Sequence, residues 1–251
     1  MDGNEIIGEH IPEPTEVVQD IDLILWSIRL ENIKRYHGQK YWEQETIATD
    51  YATRIEGVPR LESVAEHSWH VADIILLLGS RFSLDVFKCL RMAILHDKME
   101  ITIGDRSPVG RDGKGNQTHA FNLEKQHSKE IAEKNAIGRY TGRLSSPAQF
   151  THRSDLLELL SGLTAEAKFV KAADKLQALA YVIVKKQGNL TDEHLLFTLR
   201  YSKKTIQYFP DLNDHYSELK NRLLRQVSRR RGITLVTLIA ELTEGQLELD
   251  F

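Results

Sequence analysis

The sequence predicts an all-α fold, and three observations carry that expectation. Only six prolines and 15 glycines punctuate 251 residues. Apolar residues recur at three- and four-residue steps along most of the chain, which is the spacing of a buried helix face. No internal repeat, low-complexity stretch or strand–helix alternation interrupts the pattern.

Asp20 is a candidate N-cap for a first helix reaching about Tyr36, with Ile21, Ile24, Leu25 and Ile28 on one face, after a loose arm over 1–19. Residues 37–57, with Gly38 and Gly57, form a long loop or insertion, a type of segment that often carries function. A second helix is expected over about Ser63–Ser80 and a third over about Leu84–Ile103, followed by a Gly-rich loop from Gly104 to Thr118. A fourth helix is expected from Ala120 to Asn135, and Ser146-Pro147 reads as N-cap and N1 of a fifth, reaching Ser161. "TAEAKFVKAADKLQALAYVIV" makes a sixth, with two more near 192–208 and 214–230. "GITLVTLIAEL" mixes β-branched residues with helical spacing and stays ambiguous.

Bulk properties narrow the classes of function. Hydrophobic content of 41% and charged content of 27% fit one ordinary globular domain with a C-terminal elaboration over 191–251. A chain of this size can bury ~three quarters of its unfolded surface. With 33 basic against 36 acidic residues, nothing suggests a nucleic-acid partner, and Arg229-Arg230-Arg231 reads as a solvated helix end. The one cysteine, Cys89, cannot form an internal disulfide and sits in an apolar helical pattern as a small hydrophobe. "MDGNEIIGEHIPEP" lacks the basic and apolar regions of a signal peptide, and no apolar run approaches the ~20 residues that span a bilayer. A soluble, cytoplasmic protein without a membrane partner is expected.

Chemistry enters where charges interrupt apolar stripes. Val64, His67, Val71, Ile74 and Leu78 share a helix face, so His67 points inward. Val86, Leu90, Ala93 and Asp97 share another, with His96 beside it, and Ala167, Val170, Asp174, Ala178 and Tyr181 a third. Alone, His67 is an ordinary core histidine and Asp174 a salt-bridged aspartate. Together they send two imidazoles and two carboxylates to one core, where burial without a partner is costly. One divalent cation (Mn, Co, Fe, Zn or Mg) would offset that cost for all four, and mixed nitrogen and oxygen donors suit such ions.

His67, then His96-Asp97, then Asp174 resembles the signature of HD-domain metal-dependent phosphohydrolases. The flanks "ESVAEHSWHVA", "HDKMEITIGD" and "FVKAADKLQAL" are similar to those of the bacterial 5′-deoxynucleotidases and their eukaryotic HD-domain-containing relatives, over roughly 20–36 and 58–185. The resemblance implies an HD domain over 20–190, a helical bundle around one divalent metal held by His67, His96, Asp97 and Asp174, with extra C-terminal helices. It implies acid/base and water-orienting work for Glu100 and Asp105, with Gly104 turning the backbone so that Asp105 points inward. It also implies a phosphate-holding arginine and an aromatic neighbour at Arg35 and Tyr36, while Arg54 or Arg60 could take the arginine's place. His70, His119 and His127 read as surface or supporting residues. A homodimer is expected.

The activity so implied is removal of phosphate from (deoxy)nucleoside 5′-monophosphates. Hydrolysis of deoxynucleoside triphosphates on the same scaffold is the alternative, since the loop "DRSPVGRDGKGNQTH" would suit a longer phosphate chain. A regulatory module that binds a nucleotide without turnover is a third reading, against which the presence of both Glu100 and Asp105 counts.

Overall fold

The longest helix dictates the architecture. In the computed structural model, which describes residues 14–42 and 61–244, that helix is α7 (Ala165–Lys186), capped by Thr164, whose hydroxyl accepts from the Ala167 N–H. Its apolar residues, among them Phe169, Val170, Leu176, Leu179 and Val182, are buried around the axis, and Ala167, Ala172 and Ala173 let neighbours approach closely. A helix buried on several sides must be central. Accordingly α2 (Val64–Leu78), α3 (Val86–Leu95) and α6 (Ala148–Ser161) pack on it from the N-terminal side of the chain, and α8 (Asp192–Ser202), α9 (Lys204–Tyr208) and α10 (Asn213–Arg231) from the C-terminal side.

The remaining helices are α1 (Pro14–Ile28), α4 (Glu100–Ile103), α5 (Leu123–Thr141) and α11 (Leu235–Glu244). Leu195, Leu212, Leu223 and Leu238 of the C-terminal helices belong to the same apolar cluster as Val71, Met92 and Phe169, so the core is continuous. A smaller cluster, including Leu23, Leu95, Met99, Ile137 and Leu156, ties α1 and α5 to the rest. Among the described residues no strand forms; an isolated antiparallel bridge joins Lys34 to Ser63.

Several expected boundaries move. The first helix starts at Pro14 and ends at Ile28, followed by a single 3₁₀ turn over Arg29–Asn32. Its apolar stripe faces outward: Ile21, Ile24, Leu25 and Ile28 are each more than half exposed, while Leu23 turns inward. The expected third helix is two, α3 and α4, separated by turn residues 96–99. The fourth continues through "GRYT" to Thr141, and Pro147, without a capping side-chain bond, stands where Ser146 was expected to cap the fifth. "GITLVTLIAEL" resolves as α11, because Leu238 and Leu242, one turn apart, are both buried. Residues 37–42 of the expected loop are partly core, with Tyr41 and Trp42 buried, and Tyr36, expected to end the first helix, is buried beside them and stacks on Tyr181 at 5.1 Å between ring centres.

Candidate metal centre and its cleft

Local structure fixes each site residue in turn. Ser63 begins α2 with a reciprocal capping box, its hydroxyl accepting from the Glu66 N–H and the Glu66 carboxylate accepting from the Ser63 N–H. His67 therefore sits one turn into a rigid helix, with its side chain fully buried. The Arg35 N–H donates to the Glu62 carbonyl at 2.8 Å and the Val64 N–H to the Ile33 carbonyl at 2.9 Å, which brings Arg35 alongside that first turn. At the end of α3 the chain turns, and His96 Nδ1 bonds the Ala93 carbonyl at 2.7 Å. Asp174 projects from the middle of α7.

These residues meet. His67 Nε2 lies 3.2 Å from His96 Nε2, 3.1 Å from Asp174 Oδ1 and 3.6 Å from Asp97 Oδ2, and His96 Nε2 lies 3.0 Å from Asp97 Oδ2. The ligand atoms of His67, His96 and Asp174 all fall within 4.8 Å of one another, with Asp97 beside them. Gln177 is oriented by its amide N–H, which donates to Glu62 Oε1 at 2.6 Å, so its oxygen faces His67 Nδ1 at 2.8 Å. His96 Nδ1 faces the Ala93 carbonyl at 2.7 Å. In the tautomers with both outer nitrogens protonated, the inner Nε2 atoms present lone pairs to each other and to two carboxylates, and this mixture of imidazole and carboxylate donors fits a divalent metal.

Charge states differ between the two imidazoles. Burial, reinforced by Arg35, holds the His67 imidazole below its ordinary range, in the neutral ligand form. Burial alone would lower His96 too, but Asp97 reverses this and raises it. Burial would raise Asp97 and Asp174; instead His96 pulls Asp97 down, and Lys175 with His67 pulls Asp174 down, so both remain anionic.

Glu100 differs. It is 9% exposed, and its Oε2 has no hydrogen-bond partner. Burial first, then Asp97 and Asp105, raise its carboxyl well above the usual range. Asp105 is raised more modestly, because Arg35 opposes burial and its acidic neighbours. Gly104 between them has φ 72°, a conformation that side chains disfavour, and it turns Asp105 back to the same cavity as Glu100.

Two cavities meet at the cluster and share Asp97, Glu100 and Asp174. One is lined by Arg35, Tyr36, Trp42, Leu179, Val182 and Phe197. The other, larger one reaches Lys171 and Lys204, and Lys129 and Lys175 line both.

The HD domain family model matches residues 52–213, more than half of the chain. The chain belongs to the HD domain family. The 5′-deoxynucleotidase HDDC2 of Xenopus laevis is 35% identical over 141 residues, covering 54% of this chain and 63% of that protein. The 5′-deoxynucleotidase hdd1 of Schizosaccharomyces pombe is 28% identical over 153 residues, covering 61% and 72%. The chain thus spans less than two thirds of the Xenopus relative. In fold, the HD domain resembles a predicted metal-dependent phosphohydrolase from Magnetospirillum magnetotacticum, with TM-score 0.60 and 22% identity over 86% of this chain and 97% of that one. It also resembles an HD-domain phosphohydrolase from Listeria innocua, with TM-score 0.56 and 21% identity over 90% and 99%.

Of the residues expected at the site of this HD domain, His67, His96, Asp97, Asp174, Glu100, Asp105, Arg35 and Tyr36 all reach the cluster or its cavities. Arg54 and Arg60 lie outside the described residues. Arg35 is engaged inside the protein: its Nη1 donates to Glu62 Oε2 and Gln177 Oε1, each at 3.2 Å, and also contacts His67 Nδ1. His127 is exposed, and His70 is an outer support that bonds Glu62 Oε1 at 3.0 Å. His119, expected at the surface or in support, instead lines both cavities, and burial with neighbouring lysines lowers its imidazole to about 3.

Sequence reasoning missed Glu62, Gln177 and the four lysines. Gln177 had a readable signal, lying three residues after Asp174 on the same helix. Glu62 and the lysines had none, since each looks like a solvated charge until the helices assemble.

Proposed function

We propose that this HD domain is a metal-dependent phosphohydrolase that removes phosphate from (deoxy)nucleoside 5′-monophosphates. The observation that carries this reading is the convergence of two imidazole Nε2 atoms and two aspartates from three segments, with the buried Glu100 carboxyl lining the same cavities. The names of the Xenopus and fission-yeast relatives support it. His67, His96, Asp97 and Asp174 would hold one divalent ion, which when bound supplies positive charge to a phosphoryl oxygen and acidifies water.

The chain's own groups supply the rest. Arg35 directs fixed positive charge at the cavity and stabilises the phosphoryl oxygens as negative charge builds on them. Glu100, its carboxyl raised by burial and by Asp97 and Asp105, delivers a proton to the leaving 5′-oxygen. Asp105, less strongly raised, accepts a proton from the attacking water. The two carboxyls are pushed apart by environment, which is how acid and base roles separate at one pH. Tyr36, Trp42 and Phe197 give the nucleoside an apolar wall and exclude bulk water.

Phosphate release from dAMP, with dATP in parallel, tests the reading after EDTA treatment and readdition of Mn²⁺, Co²⁺ or Mg²⁺. Release from dAMP that falls with EDTA and returns with metal is expected. No release from any nucleoside monophosphate under all three metals would overturn it.

A homodimer accompanies this reading. Val18, Ile21, Ile24, Leu25 and Ile28 expose the apolar stripe of α1, a contiguous face that a monomer rarely leaves open. Light scattering should give twice the chain mass, and Ile24→Lys with Leu25→Lys should halve it. A monomeric wild type would contradict it. No helix among the described residues is long and apolar enough to cross a membrane.

A further inference from the structure

Phosphate removal leaves three buried polar side chains without a task. Gln39, His194 and Thr198 are each more than nine-tenths buried. All three line the cavity that holds Arg35 and Tyr36, and none lines the other cavity. Among the described residues no hydrogen bond or ion pair engages the Gln39 carboxamide, the His194 ring nitrogens or the Thr198 hydroxyl. Buried donors and acceptors without partners are costly. Three of them on one cavity point to a ligand that pairs them.

Their settings are fixed by neighbours. In the turns over residues 36–42 the Gln39 N–H donates to the Tyr36 carbonyl at 3.2 Å and the Trp42 N–H to the Gln39 carbonyl at 2.9 Å. The His194 ring lies flat on Tyr41, 4.3 Å between centres and 7° between planes, and the Tyr41 hydroxyl donates to the Gly113 carbonyl at 2.7 Å. Burial first, then Lys186, lowers the His194 imidazole to about 3, so the ring stays neutral and offers one N–H donor and one acceptor nitrogen. His194, Phe197 and Thr198 follow at i, i+3 and i+4 on α8 and share one face of it. Trp42 is the other large ring that lines this cavity alone, and Lys186 Nζ holds it from 4.3 Å off its centre.

Chemistry selects the ligand. Aromatic walls beside uncharged donors and acceptors suit a heteroaromatic ring with apolar faces and a polar edge. A nucleotide whose phosphate sits at the metal centre carries such a ring on its other end. A carboxamide sets one donor beside one acceptor, which match a ring nitrogen and the amino group of adenine. Guanine presents two adjacent donors on its pairing edge, which call for a carboxylate. The carboxylates that line this cavity are Asp97, Glu100, Asp105 and Asp174, all at the metal centre. We propose that Gln39, His194 and Thr198 form a base-reading subsite, and that adenine is the base it selects.

This deepens the phosphohydrolase reading and rests on it for the place of the phosphate. None of the three residues falls in the stretches, 20–36 and 58–185, that resemble the 5′-deoxynucleotidases, so the selection belongs to this chain's own turns after Tyr36 and its α8.

The test measures binding of dAMP, dGMP, dCMP and dTMP by calorimetry to the full chain loaded with Mn²⁺, in a Glu100→Gln background that slows turnover. dAMP should bind about 10-fold or more tighter than each of the others, the discrimination expected of a two-point contact to a base edge. Gln39→Met keeps the length of the side chain without its donor and acceptor, and should bring the four affinities together by weakening dAMP alone. His194→Phe keeps the stack on Tyr41 and should narrow the preference, as should the near-isosteric Thr198→Val. Thermal melts show which variants fold, and the three substitutions together leave at least one edge contact to read. Equal affinities for the four nucleotides, a preference for another base, or a dAMP preference that survives every folded variant would overturn the subsite. So would a loss shared equally by all four nucleotides in folded Gln39→Met, which would mark Gln39 as structural only. A Gln39-dependent dAMP preference in an otherwise unsubstituted chain that releases phosphate from none of the four would instead sink the phosphohydrolase reading and leave the subsite standing.

Discussion

The two sides of the cleft are built on opposite principles. On the cluster side every outward-facing atom is tied: Gln177 holds His67, the Ala93 carbonyl holds His96, and Glu62 holds Arg35, Gln177 and His70 together. Only the inner Nε2 and carboxylate atoms are left over, and they converge. On the lysine side Lys171 and Lys204 are anchored by single backbone carbonyls, Lys129 by Glu133 and Lys175 by Asp174. A rigid shell around converging donors suits a cation of fixed coordination. Long, loosely held ammoniums suit an anion whose position varies. The difference teaches that one cleft can pair a precise centre with a tolerant flank, and substitutions should separate the two.

The largest expected effect falls between them, at Glu100. Glu100→Gln should retain metal and nucleotide while kcat falls by ~10²–10⁴, the usual range for a general acid. Elemental analysis beside steady-state kinetics checks this. A near wild-type kcat would move the proton work to Asp105.

A smaller loss should follow from loosening the cluster's shell. Gln177→Ala removes the acceptor of the His67 Nδ1 proton and should weaken metal affinity by ~10–100-fold. Lys204→Gln, on the other flank, should leave metal affinity alone. Metal titration of both variants decides it; equal weakening in the two would erase the contrast drawn here.

The smallest effect is a pH dependence. The Glu100 carboxyl is raised above its ordinary 4.5 in the fold. Its favourable contribution is therefore fully present below about pH 4.5 and is lost as pH rises through the higher folded value. Glu100→Gln has no such loss. In EDTA-treated protein the variant's Tm should gain on the wild type as pH rises from 4.5 to 8, and each kcal/mol moves Tm by about 2–4 °C in a chain of this size. A constant difference across that range would mean that Glu100 ionises freely.

Legibility in the sequence followed the same divide. Charges that interrupt apolar stripes, His67 and Asp174 above all, announce themselves because burial demands a partner. The helical class was readable from spacing, as were α2 and α7 nearly to their ends. The orientation of α1 was not: Ile21, Ile24, Leu25 and Ile28 form an apolar stripe whichever way it faces, and periodicity cannot say whether the covering surface belongs to the same chain. The break between α3 and α4 was hidden because residues 96–99 contain no glycine or proline to mark it. The lysines were hidden because Lys129, Lys171 and Lys204 sit on three different helices, and each alone resembles a solvated surface charge.

The central claim is that His67, His96, Asp97 and Asp174 hold one divalent ion on which phosphate release depends. Metal content per chain, measured on wild type and Asp97→Ala after identical loading with Mn²⁺ and removal of free ion, tests it most directly. One ion per chain is expected in the wild type and none in Asp97→Ala, with phosphate release from dAMP lost in step. Full metal content in Asp97→Ala, or undiminished release from a chain stripped of metal, would contradict it.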